Sequence, residues 1–208
     1  MGLFERLRQL LGTEAEAAAT READPDHLFG MSTAYVTMEA SLGFVPTGEA
    51  ALCFADVEST SFNDVVADIR AILDASETDT GVVSEFREDE YGYQWVVVEA
   101  PDFEDLVTNV HFASDTLVEG RFGSRLLAAL FAFEATARAS AQTGQRIYWV
   151  YSFRRGTFYP FAPVSTDERD ERVEFKLSSV LDGELTVETD RRYWYPLWPD
   201  NSEGHPWD

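Results

Sequence analysis

Histidine and cysteine are the side chains that most often carry acid–base or nucleophilic catalysis near neutral pH. The sequence has three histidines, His27, His111 and His205, and one cysteine, Cys53. They lie far apart along the chain, whereas a structural zinc site takes four such ligands at short, regular spacings. His111 stands beside the apolar stripe of a predicted helix, and Cys53 alternates with the inward-facing residues of a predicted strand. We therefore expect both side chains to pack into the core.

Sequence signatures of catalysis are missing. There is no glycine-rich nucleotide-binding signature, Walker loop, nucleophile elbow or paired-histidine zinc motif. The acidic runs at 88–90 and 167–171 stand at a predicted hairpin tip and a predicted helix start, where a solvated surface explains them better than a calcium loop. We predict a protein that is not an enzyme and that uses no cofactor and no metal. The alternative is a small-molecule-binding protein or a hydrolase whose catalytic groups converge from distant segments.

The charge balance is the strongest compositional signal. The chain has 38 acidic and 16 basic residues, a net charge of −22, and Lys176 is its one lysine. The acids are spread along the whole chain, which is typical of proteins from halophilic archaea, whose surfaces stay solvated when concentrated salt screens their repulsion. An ordinary acidic protein is the alternative. Either surface excludes direct nucleic-acid binding, which needs a basic face.

The chain divides into three parts. Residues 1–12 predict an amphipathic helix, residues 13–26 a linker rich in Glu and Ala, and residues 27–208 an α+β domain. A helix followed by two strands occurs twice, which predicts two related halves at about 27–100 and 101–208. The start lacks the pattern of a signal peptide, and no segment has the length of a membrane span. With one cysteine, we expect a cytoplasmic protein that at most touches the inner face of the membrane.

Periodicity and turn residues predict the elements of the domain. Hairpins joined by helices indicate an antiparallel sheet with helices packed mainly on one face. The run LLAALFAFEA fits a helix or a strand, and we assign it as a strand because an aromatic strand follows after a short loop. The predicted strands are 33–40, 49–57, 81–87, 93–99, 126–135, 147–153 and 158–161, and the predicted helices begin at Ser61, at Asp102 and near Glu168.

Three features are candidates for binding another protein: the N-terminal helix, the turn with paired arginines, and the tail rich in Trp and Pro. Each has a structural alternative. The helix could dock on the core, the arginines could neutralise nearby carboxylates, and the tail could close an edge of the core. The candidate residues are Leu3, Phe4, Leu7, Arg154, Arg155, Tyr159, Trp194 and Trp198.

Several long blocks resemble a known family. DPDHLFGMSTAYVTMEA, GEAALCFADVEST, YWVYSFRRGTFYPFAP and YWYPLWP are similar to the haloarchaeal PspAB family, the PspA-associated proteins, and the resemblance runs over nearly the whole chain. It departs in the loop 136–145, which is longer than expected between two strands.

The resemblance implies an adaptor or regulator in the PspA-linked membrane stress response. The implied partners are PspA, a coiled-coil membrane-remodelling protein, and an HtpX-like membrane protease, and a homodimer is a further expectation. No catalytic residue is carried over, since the family has no settled ones. The order of elements from 102 to 183 also resembles type III secretion chaperones and the YbjN group, which are non-enzymatic dimers; this analogy concerns the fold alone.

Overall fold

The computed structural model describes residues 22–89, 91–199 and 204–208, apart from the side chains of residues 78 and 79. The predicted N-terminal helix and most of the predicted linker lie outside the described residues. The elements are a 3₁₀ helix Pro25–Gly30, helix α1 Met31–Thr37 with a π-helical turn Met38–Leu42, strand β1 Phe44–Ala55, helix α2 Thr60–Thr80, strands β2 Val83–Glu88 and β3 Tyr93–Glu99, helix α3 Phe103–Glu119, strands β4 Leu126–Ala135, β5 Arg146–Ser152 and β6 Thr157–Phe161, and helix α4 Glu171–Leu181.

Six strands form one sheet in the order β2-β3-β1-β4-β5-β6, and every neighbouring pair is antiparallel. Strand β1 is central although it contains Pro46, which has no N–H to donate. The register between β1 and β4 shifts between Pro46 and Ala50, so the proline lies where the ladder is interrupted. Gly48 stands in this interruption with φ +87°, a conformation that glycine adopts without strain.

The two faces of the sheet carry different cover. Along β3, Val96 and Val98 face the helices, whereas Trp95 and Val97 face the opposite side. The helix-covered face also holds the apolar stripes of α2, α3 and α4. Among the described residues, the opposite face is covered by the C-terminal tail, including Trp194 and Trp207. The predicted α+β class with helices on one face is thereby confirmed.

Helix α3 follows its predicted pattern closely. Asp102 is its N-cap and accepts a hydrogen bond from Glu104 N at 2.9 Å, which satisfies one of the free amides of the first turn. The predicted stripe is buried throughout: Phe103, Leu106, Val107, Val110, Ser114 and Leu117. Within the part of the chain that the structure describes, neither α3 nor any other helix combines the length and apolar character needed to cross a bilayer.

The ambiguous run 126–135 is strand β4, as predicted. Its residues are all buried except Glu134, because β4 lies near the middle of the sheet and is covered on both faces. A strand in that position shows no alternation of apolar and polar residues, which is why periodicity alone did not separate it from a helix.

The predicted strand 33–40 is wrong. That segment belongs to α1 and the π-helical turn that follows. Its Thr, Tyr and Val residues favour a strand, but the buried side chains Met31, Ala34, Met38 and Leu42 recur at helical spacing and decide the structure. Helix α2 also begins earlier than predicted, since Ser59 rather than Ser61 is the N-cap and accepts from Phe62 N at 3.1 Å.

Candidate functional site

His27 fixes the segment before α1 to the sheet. Tyr151 donates its hydroxyl hydrogen to the carbonyl oxygen of Asp24 at 3.0 Å. His27 Nδ1 lies 3.0 Å from the same hydroxyl oxygen, and because a tyrosine hydroxyl has one hydrogen, His27 is the donor in that contact. This chain of hydrogen bonds ties the 3₁₀ helix Pro25–Gly30 to β5.

His111 and Cys53 occupy packed positions. Nε2 of His111 lies 3.0 Å from Oδ1 of Asp26, and the ring packs on Phe29 with centroids 4.5 Å apart. Cys53 is a buried free thiol in β1, and burial, helped by the charge of Asp89, raises its pKa well above the ordinary value. A thiol held in its protonated form is a poor nucleophile.

His205 belongs to the opposite face of the sheet. Nδ1 of His205 is hydrogen-bonded to the Tyr148 hydroxyl at 3.1 Å, Nε2 lies 3.3 Å from Oε2 of Glu49, and the ring stacks on Trp207 at 4.5 Å. The hydrogen bond to His205 lowers the pKa of Glu49 despite its partial burial. Across the described residues, no three His, Cys, Asp or Glu side chains come together in a way that could hold a metal ion.

A buried carboxylate anchors the start of α4. The side chain of Glu174 is fully buried and accepts from Arg169 Nε at 2.7 and 2.9 Å and from Ala162 N at 2.9 Å. Burial raises the pKa of Glu174, although the Arg169 guanidinium opposes the shift. Arg169 also donates to the carbonyl oxygen of Trp194 at 2.9 Å. The pair therefore joins α4 to the C-terminal tail.

The predicted arginine turn is tied to the same tail. Arg155 Nε donates to Oε2 of Glu188 at 2.8 Å, and the guanidinium lies over the ring of Tyr193 at 3.9 Å. The side chain of Glu188 is only 4% exposed. Burial alone would raise the pKa of Glu188, but Arg155, Thr157 and the backbone N–H of Asp190 together lower it. Arg154 beside it is half-buried.

The structure brings the aromatic binding candidates together as packing residues. The hydroxyl of buried Tyr159 donates to the Tyr195 carbonyl at 3.0 Å, and Nε1 of buried Trp194 donates to the Glu188 carbonyl at 2.9 Å. Half-buried Trp198 meets Phe161 edge-on, with centroids 5.1 Å apart. These three side chains pack on one face of the sheet. Leu3, Phe4 and Leu7 lie outside the described residues.

An open groove runs between α1, β1 and the start of α3. Its volume is about 400 Å³, and its polar side chains include Glu39 and Asp102, the second of which already caps α3. The groove contains neither His111 nor Cys53, and the hydroxyl of its Thr47 donates to the Ala132 carbonyl at 3.3 Å. The full lining is Tyr35, Glu39, Pro46, Thr47, Gly48, Ala100, Pro101, Asp102 and Phe103.

The outward side of α4 differs from the rest of the surface, and sequence reasoning missed it. Phe175 is 63% exposed, more than any other large apolar side chain described, and Val180 is 40% exposed. Arg172 and Lys176 are exposed beside them. The signal was present in the sequence, because Lys176 is the one lysine of the chain. We call the set Arg172, Phe175, Lys176, Ser179 and Val180 the α4 outer face.

Comparison with known proteins decides the family. The family model of PspAB, PspA associated protein B, matches residues 1–207. The chain belongs to the PspAB family. No curated protein and no solved structure matches it, so the described PspAB fold rests on the geometry above, and the likeness to secretion chaperones stays a prediction.

Proposed function

We propose that this PspAB protein is a non-enzymatic adaptor that acts by binding PspA in a membrane stress response. The observation that carries the proposal is the match of residues 1–207 to a family of PspA-associated proteins. The match covers the fold and the N-terminal segment alike, so both belong to the proposed adaptor.

The packing of the reactive side chains supports a binding role. His27, His111 and His205 hold loops in place, and Cys53 is buried with a raised pKa. Catalysis needs a titratable group within reach of a substrate, whereas these groups are engaged within the fold. The alternative of a hydrolase or small-molecule-binding protein finds its best location in the groove beside Tyr35, where Asp102 is engaged as the N-cap of α3 and Thr47 donates to the Ala132 carbonyl.

A direct binding measurement tests the proposal. The purified full chain is titrated with PspA from the same genome by calorimetry in molar KCl, beside an unrelated protein of similar net charge as control. We expect saturable binding to PspA alone, and equal heats from the two titrants would contradict the adaptor role. An HtpX-like protease, the other partner implied by the resemblance, enters the same assay as a second titrant.

The N-terminal segment is tested by a second measurement. If Leu3, Phe4 and Leu7 form part of the partner surface, deleting residues 1–12 weakens PspA binding and leaves the melting temperature nearly unchanged. A chain that loses stability but keeps its affinity would show that this segment supports the fold instead. Sedimentation of the same samples reports whether a homodimer forms, and co-sedimentation with vesicles reports contact with a membrane surface.

A further inference from the structure

The α4 outer face lies in a part of the chain where the acidic excess is small. Between Arg154 and Arg192 the sequence has seven of its 16 basic residues beside nine of its 38 acidic ones. Residues 120–153, just before this stretch, have four basic residues and one acidic residue, so the acidic excess is concentrated in residues 1–119. A negatively charged partner therefore meets less repulsion here than along that first part of the chain.

Helical spacing places the members of this face on one side of α4. Arg172, Phe175 and Lys176 are separated by three and four residues, and Ser179 and Val180 follow one turn later, so they form one stripe about 12 Å long. The opposite side of the helix, with Val173, Leu177 and Leu181, is buried in the core. The stripe faces solvent because burial of the opposite side fixes the orientation of α4.

The cations of the stripe form no ion pair within the described residues, where neither Arg172 nor Lys176 has a carboxylate at ion-pair distance. The three acids nearest to Arg172 in sequence have other partners, since Asp170 caps the helix, Glu171 lies 3.6 Å from Arg191 and Glu174 is buried against Arg169. Arg172 and Lys176 also stand four residues apart on one helix, an arrangement of like charges that destabilises the helix.

An exposed aromatic side chain between two such cations is suited to contact another protein. Phe175 supplies apolar area, Val180 extends it by one turn, and Arg172 and Lys176 flank it with charge. The hydroxyls of Ser178 and Ser179 both donate to the Phe175 carbonyl, at 2.9 and 2.7 Å, so the local polar groups are satisfied. The rim is charged and the centre apolar, as in protein interfaces.

We propose that the α4 outer face is the docking surface for an acidic amphipathic helix of the protein partner, an inference that rests on the proposed adaptor function. A single straight stripe on a helix fits a second helix laid along it. Charge complementarity makes that helix acidic. A second copy in a two-fold dimer would set Arg172 and Lys176 against their own counterparts, and the net charge of −22 opposes an anionic bilayer.

Two synthetic peptides probe the surface directly. One is an amphipathic helix of about 21 residues with Leu on one face and Glu on the other, and its twin carries Lys in place of Glu. Each is titrated into the isotope-labelled full chain near 0.2 M KCl, where contacts between charges are only partly screened, and backbone amide shifts are recorded. We expect the acidic peptide to shift residues 172–180, and the basic twin to give weak shifts spread over the acidic surface. Shifts by the acidic peptide that centre elsewhere, or none, would overturn the proposal.

Variants separate the apolar and charged contributions. We expect Phe175→Ala to weaken acidic-peptide binding at least about tenfold at every salt concentration. Arg172→Glu with Lys176→Glu should weaken it about tenfold near 0.2 M KCl and less in molar KCl. The matched controls are Phe112→Ala, which truncates an aromatic 46% exposed on α3, and Arg121→Glu with Arg125→Glu, which makes the same charge change at exposed positions. Controls that weaken binding as much as the α4 variants would overturn the proposal.

The same variants distinguish this inference from the adaptor function. If PspA fails to bind the wild-type chain while the acidic peptide still docks on α4, the adaptor function is contradicted and the docking surface is not. If PspA binds the wild-type chain and Phe175→Ala equally, the docking surface is contradicted and the adaptor function is not. A self-association that Phe175→Ala abolishes, or binding to vesicles of anionic phosphatidylglycerol that the double charge variant abolishes, would assign the face to another occupant and overturn the proposal.

Discussion

The two faces of the sheet are covered in different ways. One face is covered by helices, whose apolar stripes bury side chains such as Leu106 and Leu177 and whose backbone polar groups are satisfied within each helix. The other face is covered by an irregular tail, whose aromatic side chains pack on the sheet and which also makes individual polar contacts through Arg155, Arg169 and His205. Contacts of charged side chains therefore help to hold the tail, beside its apolar packing. The tail-covered face should therefore respond more sharply to single changes of charge.

Fluorinated tryptophan makes the comparison measurable. Trp149 lies on the helix-covered face, while Trp194 and Trp207 lie on the tail-covered face. Because the chain has five tryptophans, fluorine NMR reports both faces in a single sample. Single substitutions, acid and salt can then show whether the two faces unfold separately or together.

Removing the guanidinium of Arg169 should have the largest effect. Arg169→Ala leaves the fully buried Glu174 without its cation, and breaking a buried pair from one side costs about 3–5 kcal/mol. We expect the Trp194 signal to change at a lower urea concentration than the Trp149 signal. Arg172→Ala, three residues further along at an exposed position in the first turn of α4, is the control. Simultaneous loss of both signals would show that the faces unfold as one unit.

A cavity on the helix-covered face should act globally. Leu106→Ala removes a fully buried side chain of α3, which costs about 2–5 kcal/mol in well-packed cores. Here we expect Trp149 and Trp194 to lose their native signals together, because the helices support the whole sheet. Phe112→Ala, exposed on the same helix, should change stability by less than about 0.5 kcal/mol. If the Trp194 signal of the Leu106 variant changed at a lower urea concentration than the Trp149 signal, the proposed difference between the two faces would be contradicted.

The arginine turn gives an intermediate case. Arg155→Glu places a carboxylate beside buried Glu188 and should cost about 2 kcal/mol, less than the Arg169 variant because the Arg155 side chain is 30% exposed. Arg154→Glu should cost less, since the ion pair with Glu188 is formed by its neighbour. Urea unfolding of the two single variants checks the order.

Acid should act on the tail-covered face first. The pKa values of Glu49 and Glu188 are lowered from 4.5 by their partners. Their ionised forms therefore stabilise the folded state above pH 4.5, and this stabilisation is lost as the pH falls through the lower folded-state pKa. Glu174 acts in the opposite direction, since its raised pKa favours the folded state as the pH falls. We expect the Trp207 signal to change below about pH 4.5 before Trp149 does. Glu188→Gln should reduce the effect at Trp194.

Salt should affect both faces alike and thus give the smallest difference between them. With a net charge of −22, we propose that the protein is adapted to the concentrated salt of a halophilic archaeon. Transfer from molar to millimolar KCl should lower the melting temperature by several degrees through self-repulsion. An unchanged melting curve would point to an ordinary acidic protein.

Sequence reasoning succeeded where periodicity is local. Helix α3 and the hairpin of β2 and β3 have regular patterns bounded by caps and turns, and they were predicted close to their observed bounds. The prediction of a strand at 33–40 was wrong because it relied on the β-branched residues of that segment. The helical spacing of buried methionines begins at Met31, before the predicted strand, and was overlooked.

The candidate site was harder to predict because its contacts join distant residues. Tyr148 and His205 are 57 positions apart, and Arg87 and Asp208 are 121 apart, so no local pattern reveals that the tail is fixed in place. The paired arginines looked like a binding feature because Glu188, the partner of Arg155, lies 33 positions away. Lys176 was visible in the sequence, but its exposure beside Phe175 required the fold.

The order of the chain has a consequence for how the protein is made. All six strands precede Trp194, Trp198 and Trp207, the tail tryptophans that pack on the second face. On the ribosome, the helix-covered face can therefore assemble as its helices emerge, whereas Ala51, Leu130 and Val150 remain bare until the tail has been translated. Apolar strands left open during synthesis are prone to join other chains. Translation of the final segment is thus the step that protects the sheet of the nascent chain from aggregation with other chains.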